Sequence, residues 1–359
     1  MKRLLAIFAL LAFVPAVAPA ATLFMGAYPD SVIVFDEAKG QIVDRIHLVT
    51  GLPIGMRLSQ DRKTIYVTTN DYSGIEVIDV ATHKVTNHFQ LNTPTKRFRF
   101  NSGVPDPSGK YFYAVTTEMN KLKDRYEVGK PKYTVIDLAE QKIVKTVDLA
   151  REDENNGRGG NFEISPDGKY LYQFRDKVVI LSTDDFKVVD RIELAKPDFS
   201  DMENIGFGGL LDSISEPGQH ISLFNSADPI VHNRVFGIAR FDLTTRQVDF
   251  TPIGPSPQGM TGLHVTPDKK NAYTVITTGN LGNKRCEFWA FDLGTSKIKQ
   301  TAEVPCRSRF SFGMAGDGKK LYFYGAGFEI EVYDAATLKY ERTWDLSNDI
   351  TGAGMIVLR

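Results

Sequence analysis

Through most of the chain, apolar and polar positions alternate with a period of two, in short runs broken by Pro, Asp and Gly. Five such runs follow a polar turn: SQDRKTIYV (59–67), DPSGKYFYAV (106–115), SPDGKYLYQF (165–174), TPDKKNAYTV (266–275) and AGDGKKLYFY (315–324). A weaker copy, SEPGQHISLF, occupies 215–224. Alternation bounded by turn residues predicts β-strands with one buried face, and no stretch shows the period of an amphipathic helix.

A second motif recurs after each of these strands. Two apolar residues, usually an Asp, a few polar residues with a cation and another apolar strand read VFDEAKGQIV (34–43), VIDVATHKV (77–85), VIDLAEQKIV (135–144), ILSTDDFKVV (180–189), RFDLTTRQV (240–248), AFDLGTSKI (290–298) and VYDAATLKY (332–340). The anchors are Asp36, Asp79, Asp137, Ser182, Asp242, Asp292 and Asp334. An Asp here is expected to form the turn, because its carboxylate accepts bonds from backbone N–H groups just downstream. Each repeat holds four strands in roughly 48 residues, between the periods of two known propeller repeats. The segment Thr22 to Leu48 supplies only the outer part of a unit, and GAGMIVLR (352–359) reads as one inner strand with no unit to follow. Joined, they make a seventh blade and hide both ring edges. The expected fold is an all-β, seven-bladed β-propeller of four-stranded antiparallel blades, with residues 21–359 as one domain.

Residues 1–20 are expected to be a signal peptide. Lys2 and Arg3 precede an unbroken apolar run from Leu4 to Phe13, and Ala18-Pro19-Ala20 fits a small-residue cleavage pattern. That run is too short to span a bilayer, which needs about 20 apolar residues, so no membrane span is expected. Cleavage near Ala20 would release a periplasmic or secreted protein. Export suits the two cysteines, because Cys286 and Cys306 lie near the same end of the hairpin 285–304 and could close a disulfide, the alternative being two unrelated buried thiols. The 359 residues carry 43 Lys plus Arg against 44 Asp plus Glu, a net charge of −1. With 42% apolar and 24% charged residues the chain is globular rather than disordered. The charge balance excludes nucleic acid as an expected partner.

Linear catalytic motifs are missing: no G-x-S-x-G, P-loop, H-E-x-x-H or EF-hand loop occurs, and no C-x-x-C-H for haem. No cofactor is expected in this chain. One inner-strand position, traced around the ring, reads Arg57, Val104, Glu163, Ser213, His264, Gly313 and Ile356. Arg57, Glu163 and His264 could converge at the channel mouth, bind a small anion or assist an acid–base step, or each bond a neighbouring blade. A cationic group, Lys96, Arg97, Arg99, Arg158, Arg307 and Arg309, falls in blade-to-blade loops and would suit an acidic partner or anionic ligand if those loops share a face, or be solvated charges paired with Glu152, Asp153 and Asp201. Glu118 to Lys132 and Lys196 to Gly218 are longer than ordinary loops, and one of them is expected to meet a partner or cover the channel.

Ile65-Tyr66-Val67-Thr68-Thr69-Asn70, the SPDGK turn and the repeated FDxxTxK hairpin resemble the YVTN-type β-propeller family. The single-propeller length, the insertion at 118–132 and the ending VYDAATLKYERTWDL are similar to the quinohemoprotein amine dehydrogenase β subunit. That resemblance implies a non-catalytic scaffold or subunit in a periplasmic redox complex, with haem- or quinone-bearing partner chains. The alternative is a propeller enzyme of lactonase or lyase type, with a site assembled from scattered loops.

Overall fold

The computed structural model describes residues 21–358 apart from 70–72, 155–160, 176, 194–202, 211–217, 228–229, 231–232, 258, 296, 308 and 326, with 203–210 described by their backbone. The expected signal peptide therefore lies outside the described residues.

Among the described residues, twenty-eight strands form seven four-stranded antiparallel sheets. Blade 1 contains β1 (Thr22–Ala27), β2 (Ser31–Asp36) and β3 (Gln41–His47). Blade 2 is β4 (Pro53–Leu58), β5 (Thr64–Thr69), β6 (Gly74–Asp79) and β7 (Lys84–Gln90). Blade 3 is β8 (Lys96–Pro105), β9 (Tyr111–Lys121), β10 (Tyr126–Asp137) and β11 (Lys142–Asp148). Blade 4 is β12 (Asn161–Ile164), β13 (Tyr170–Phe174), β14 (Lys177–Ser182) and β15 (Val188–Glu193). Blade 5 is β16 (Glu203–Leu210), β17 (Gln219–Ala227), β18 (Arg234–Asp242) and β19 (Val248–Pro255). Blade 6 is β20 (Gly259–Val265), β21 (Asn271–Thr278), β22 (Arg285–Asp292) and β23 (Lys297–Val304). Blade 7 is β24 (Ser311–Met314), β25 (Lys320–Tyr324), β26 (Glu329–Asp334) and β27 (Tyr340–Asp345). The last strand, β28 (Ile350–Leu358), returns to blade 1 as its innermost strand, pairing Thr22 with Leu358 and Met25 with Met355. The chain is a seven-bladed β-propeller closed by its two ends.

The anchors act at the turns. Asp36 accepts from the Lys39 N–H at 3.0 Å, Asp79 from Thr82 at 2.8 Å, Asp242 from Thr245 at 2.7 Å, Asp292 from Thr295 at 2.8 Å and Asp334 from Thr337 at 2.9 Å. Asp137 takes two such bonds, and Ser182 Oγ takes one from Asp184. A left-handed residue then starts the next strand, at Gly40, His83, Gln141, Phe186, Arg246 and Leu338. Only Gly is unstrained there, so the anchor bonds, from Asp or, in the turn of Phe186, at Ser182, hold the other five in place.

Seven apolar clusters lie among the described residues, one between each pair of adjacent blades. Blades 3 and 4, for example, share Val115, Tyr133, Phe162, Leu171 and Val179. Both faces of each sheet are thus covered, which explains why strands such as VVIL read as near-continuous apolar runs.

Because successive strands are antiparallel, two loop types gather at each end of the ring. The upper face carries the crossings from one blade's outer strand to the next blade's inner strand, together with the loops between second and third strands. The lower face carries the SPDGK-type turns and the Asp-anchored hairpins.

Two segments differ from expectation. Residues 118–132 are a continuation of blade 3 rather than a loop: β8, β9 and β10 all run past the upper face, with Lys121 paired to Tyr126 at the tip. Within 196–218, read as a connection, the backbone forms β16, the inner strand of blade 5. Gly206, Gly208 and Gly209 hide it, because glycine weakens the strand signal while ring closure still demands an inner strand. Ser213, expected on that strand, lies outside the described residues.

Candidate functional site

Arg57 on β4 and Glu163 on β12 meet although blade 3 separates their blades. The guanidinium makes a two-point pair with the carboxylate, at 3.2 and 3.3 Å, and donates to the Phe162 carbonyl at 2.7 Å. Both side chains are largely buried. Burial alone would raise the Glu163 carboxyl, but Arg57 and His220 outweigh it and hold it below the ordinary carboxylate value. His220, on β17, is fully buried, stacks on Phe174 at 3.8 Å between ring centroids and places Nδ1 3.6 Å from the Glu163 carboxylate.

The structure brings Arg57 and Glu163 together and places His264 elsewhere. His264 Nε2 lies 2.9 Å from the Phe312 carbonyl on β24, bonding blade 6 to blade 7. The expected three-way convergence is replaced by Arg57, Glu163 and His220, because His264 turns to the adjacent inner strand. Nor does this group sit at the mouth among the crossing loops. Arg57, Glu163 and His264 are each the next-to-last residue of a strand that runs downward, so they lie beside the lower turns. From one such turn Gln60 adds a bond to the Ile164 carbonyl of blade 4 and Arg62 one to the Val357 carbonyl of the adjacent blade 1.

The cationic residues are on the opposite, upper face. Lys96, Arg97 and Arg99 open β8 where it rises past the ring, and Arg307 and Arg309 lie in the crossing from β23 to β24. Arg158 lies outside the described residues. Arg307 is consumed locally, pairing with Glu329 at 2.8 Å and Glu331 at 2.6 Å over the Phe323 ring. Lys96 pairs with Glu118 at 2.8 Å, and Lys96, Arg97, Arg99 and Arg309 are all exposed. In the same crossing as Arg307, Cys306 is disulfide-bonded to Cys286 of β22.

Residues 96–99 and 118–132 together hold eight basic and three acidic side chains. Four of the eight cations are paired, Lys96 with Glu118, Arg125 with Asp124 and Glu127, Lys130 with Glu154 and Lys132 with Asp148. Several lower turns pair charges of their own, such as Lys39 with Asp36 at 2.7 Å, Lys142 with Glu140 at 2.6 Å and Lys187 with Asp185 at 2.8 Å.

No protein-family model matches the chain, and no curated protein sequence does. Solved structures do. The likeness is one of fold. Apo AztD from Citrobacter koseri is 15% identical, with 95% of this chain and 98% of that one covered and a TM-score of 0.53. The dihydro-haem d1 dehydrogenase NirN, in complex with DHE, is 14% identical over 95% of this chain and 76% of that one, TM-score 0.51. The β-propeller domain of Cps50 (Swd1) from Myceliophteria thermophila is 9% identical over 86% and 94%, TM-score 0.55.

Two features of this propeller escape a motif search. His220 lies in the weakest strand copy, SEPGQHISLF, so its blade could be placed but not its neighbours. The second is apolar. Large apolar side chains exposed among the described residues fall on the outermost strands (Val43, Val144, Val189, Ile298, Tyr340) or on the upper face (Tyr28, Val49, Tyr126, Val128, Ile230, Phe328), and none in a lower turn. Their signal in the sequence is a lone apolar residue within a turn-rich loop, which any folded surface also shows.

Proposed function

We propose that this chain is an exported, non-catalytic propeller subunit whose upper face binds a protein partner in a redox complex of the quinohemoprotein amine dehydrogenase kind. The observation that carries this is the inequality of the two faces. Among the described residues the lower face exposes no large apolar side chain, while the upper face exposes six and carries a surplus of cations on the blade 3 extension. Apolar anchors within a polar, charged surround are the composition of a recognition surface. Arg57 and Glu163 neutralise one another and His264 holds a neighbouring blade, so the residues expected to do acid–base work are engaged in ring architecture. The likeness in fold to NirN, solved in complex with DHE, supports a redox setting, as does the resemblance to the amine dehydrogenase β subunit.

The test is affinity capture of the mature protein from its native periplasm at low salt, followed by mass spectrometry and haem and quinone staining. A stoichiometric redox chain is expected. A clean monomer with undiminished catalytic turnover of lactone or uronate substrates would replace the subunit assignment with an enzyme.

A further inference from the structure

The six upper-face apolar residues are not evenly spread. Three of them form one patch over the closing blade, stitched by backbone bonds between loops. Leu346 N–H donates to the Phe328 carbonyl at 2.7 Å, Tyr28 N–H to the Asp349 carbonyl at 2.8 Å and Leu48 N–H to the Asp30 carbonyl at 2.7 Å. Asn348 adds a side-chain bond to the Tyr28 carbonyl at 3.1 Å. The loops bearing Phe328, Tyr28 and Val49 are thereby held side by side, and these residues are 56%, 61% and 64% exposed. Blade 2 follows, and then the basic extension of blade 3, which stands above the ring with Tyr126 and Val128 exposed on it. Arg309 flanks the patch from the blade 6 to blade 7 crossing.

We infer that the partner is an acidic protein, lying along the arc from blade 7 through blades 1 and 2 to blade 3, with an apolar anchor on Phe328, Tyr28 and Val49 and an acidic flank against the blade 3 extension. This rests on the upper face being the docking face and names the chemistry of what docks there. Charge selects the occupant. A second copy of this chain that set one blade 3 extension against the other would oppose like charges, and like charges brought together across an interface are strongly unfavourable. The extension is also poorly suited to extend a partner's sheet. Above Lys132 the outer edge of β10 is unpaired by β11, but it carries Pro131, Gly129 and a register shift between Val128 and Pro131, devices that blunt an edge against strand addition. Recognition there therefore runs through side-chain charge.

The probe is a synthetic peptide of glutamates flanking a Trp-Leu pair, with its glutamine counterpart as control and vesicles of phosphatidylglycerol as a separate arm. The mature protein is expected to bind the glutamate peptide at least about tenfold more tightly than the control, with the difference shrinking as salt rises toward 0.15 M. Charge reversal at Arg97→Glu with Arg99→Glu and Lys123→Glu removes the preference without loss of thermal stability. Phe328→Ser weakens both peptides alike. Equal binding of the two peptides, preference unchanged by reversal, or binding of the vesicles in place of the peptide overturns the inference. Any of these would leave the subunit assignment standing if native capture still returns a stoichiometric chain, so the two failures are distinguishable.

Discussion

Arg57 and Glu163 join two blades that are not neighbours. A part-buried carboxylate facing a guanidinium at two points is favourable only while both partners are present. Glu163→Gln is expected to lower the unfolding free energy by about 1–3 kcal/mol, because it leaves Arg57 desolvated without a counter-charge. The pH dependence has a definite sign. The Glu163 carboxyl is held below its ordinary value of 4.5 in the folded state, so its contribution is present above that value and is lost as pH falls through the folded value. Urea unfolding from neutral to acid pH should therefore be flatter for Glu163→Gln than for the wild type. Parallel profiles would show that the pair does not contribute. Asp153 behaves alike. Burial pushes its carboxyl up, but bonds from Arg191 at 2.9 Å and Lys177 at 2.9 Å bring it below the ordinary range.

At the scale of elements, the seam between β1 and β28 is the joint on which the ring depends, and two glycines beside it have opposite roles. A Cβ at Gly26 would lie 2.6 Å from Thr351 Oγ1 and 2.7 Å from the Ala353 Cβ, whereas a Cβ at Gly352 would meet nothing within 4 Å. Gly26→Ala should cost about 1–3 kcal/mol by overpacking the seam, while Gly352→Ala should be near neutral. Equal melting temperatures for the two would place the tight joint elsewhere. A second element-scale constraint is the disulfide, which ties the third strand of blade 6 to the crossing into blade 7. The Cys286→Ser, Cys306→Ser double variant should lose about 3 kcal/mol in the chain-entropy view, and dithiothreitol should reproduce that loss in the wild type. A melting temperature insensitive to reductant would contradict it.

For the whole molecule, stability is distributed over seven interblade cores that no blade can complete alone. Removing β28 would expose the edge of β1 and uncover Phe24, Val34 and Ile356's cluster between blades 1 and 2. A chain truncated after Asn348 is expected to lose its cooperative thermal transition and to aggregate through the open edge. Retention of a single sharp transition would show that the ring does not need its closing strand. The same closure also has a functional consequence, because it brings Tyr28 from the first hairpin against the loop 346–349 that leaves the last blade.

What the order of residues determined by itself was local and periodic. Alternation named the strands, Asp and Gly named the turns, and the count of anchors with a partial unit at each end named seven blades. These follow from backbone preferences within a few residues and repeat seven times, so a weak local signal is reinforced. The Cys286–Val304 pairing was equally legible, since a hairpin's register follows from its own turn. Tertiary structure alone decided what lies between blades. It took Glu163 across the ring to Arg57 and brought His220 to Glu163, while it turned His264 to Phe312. It also made a pier of 118–132, and it gathered apolar residues from distant loops on one face. Such contacts join residues as far apart as 57 and 163, and side-chain direction at a strand end depends on the twist and tilt of the neighbouring blade. No periodicity in the sequence records those quantities.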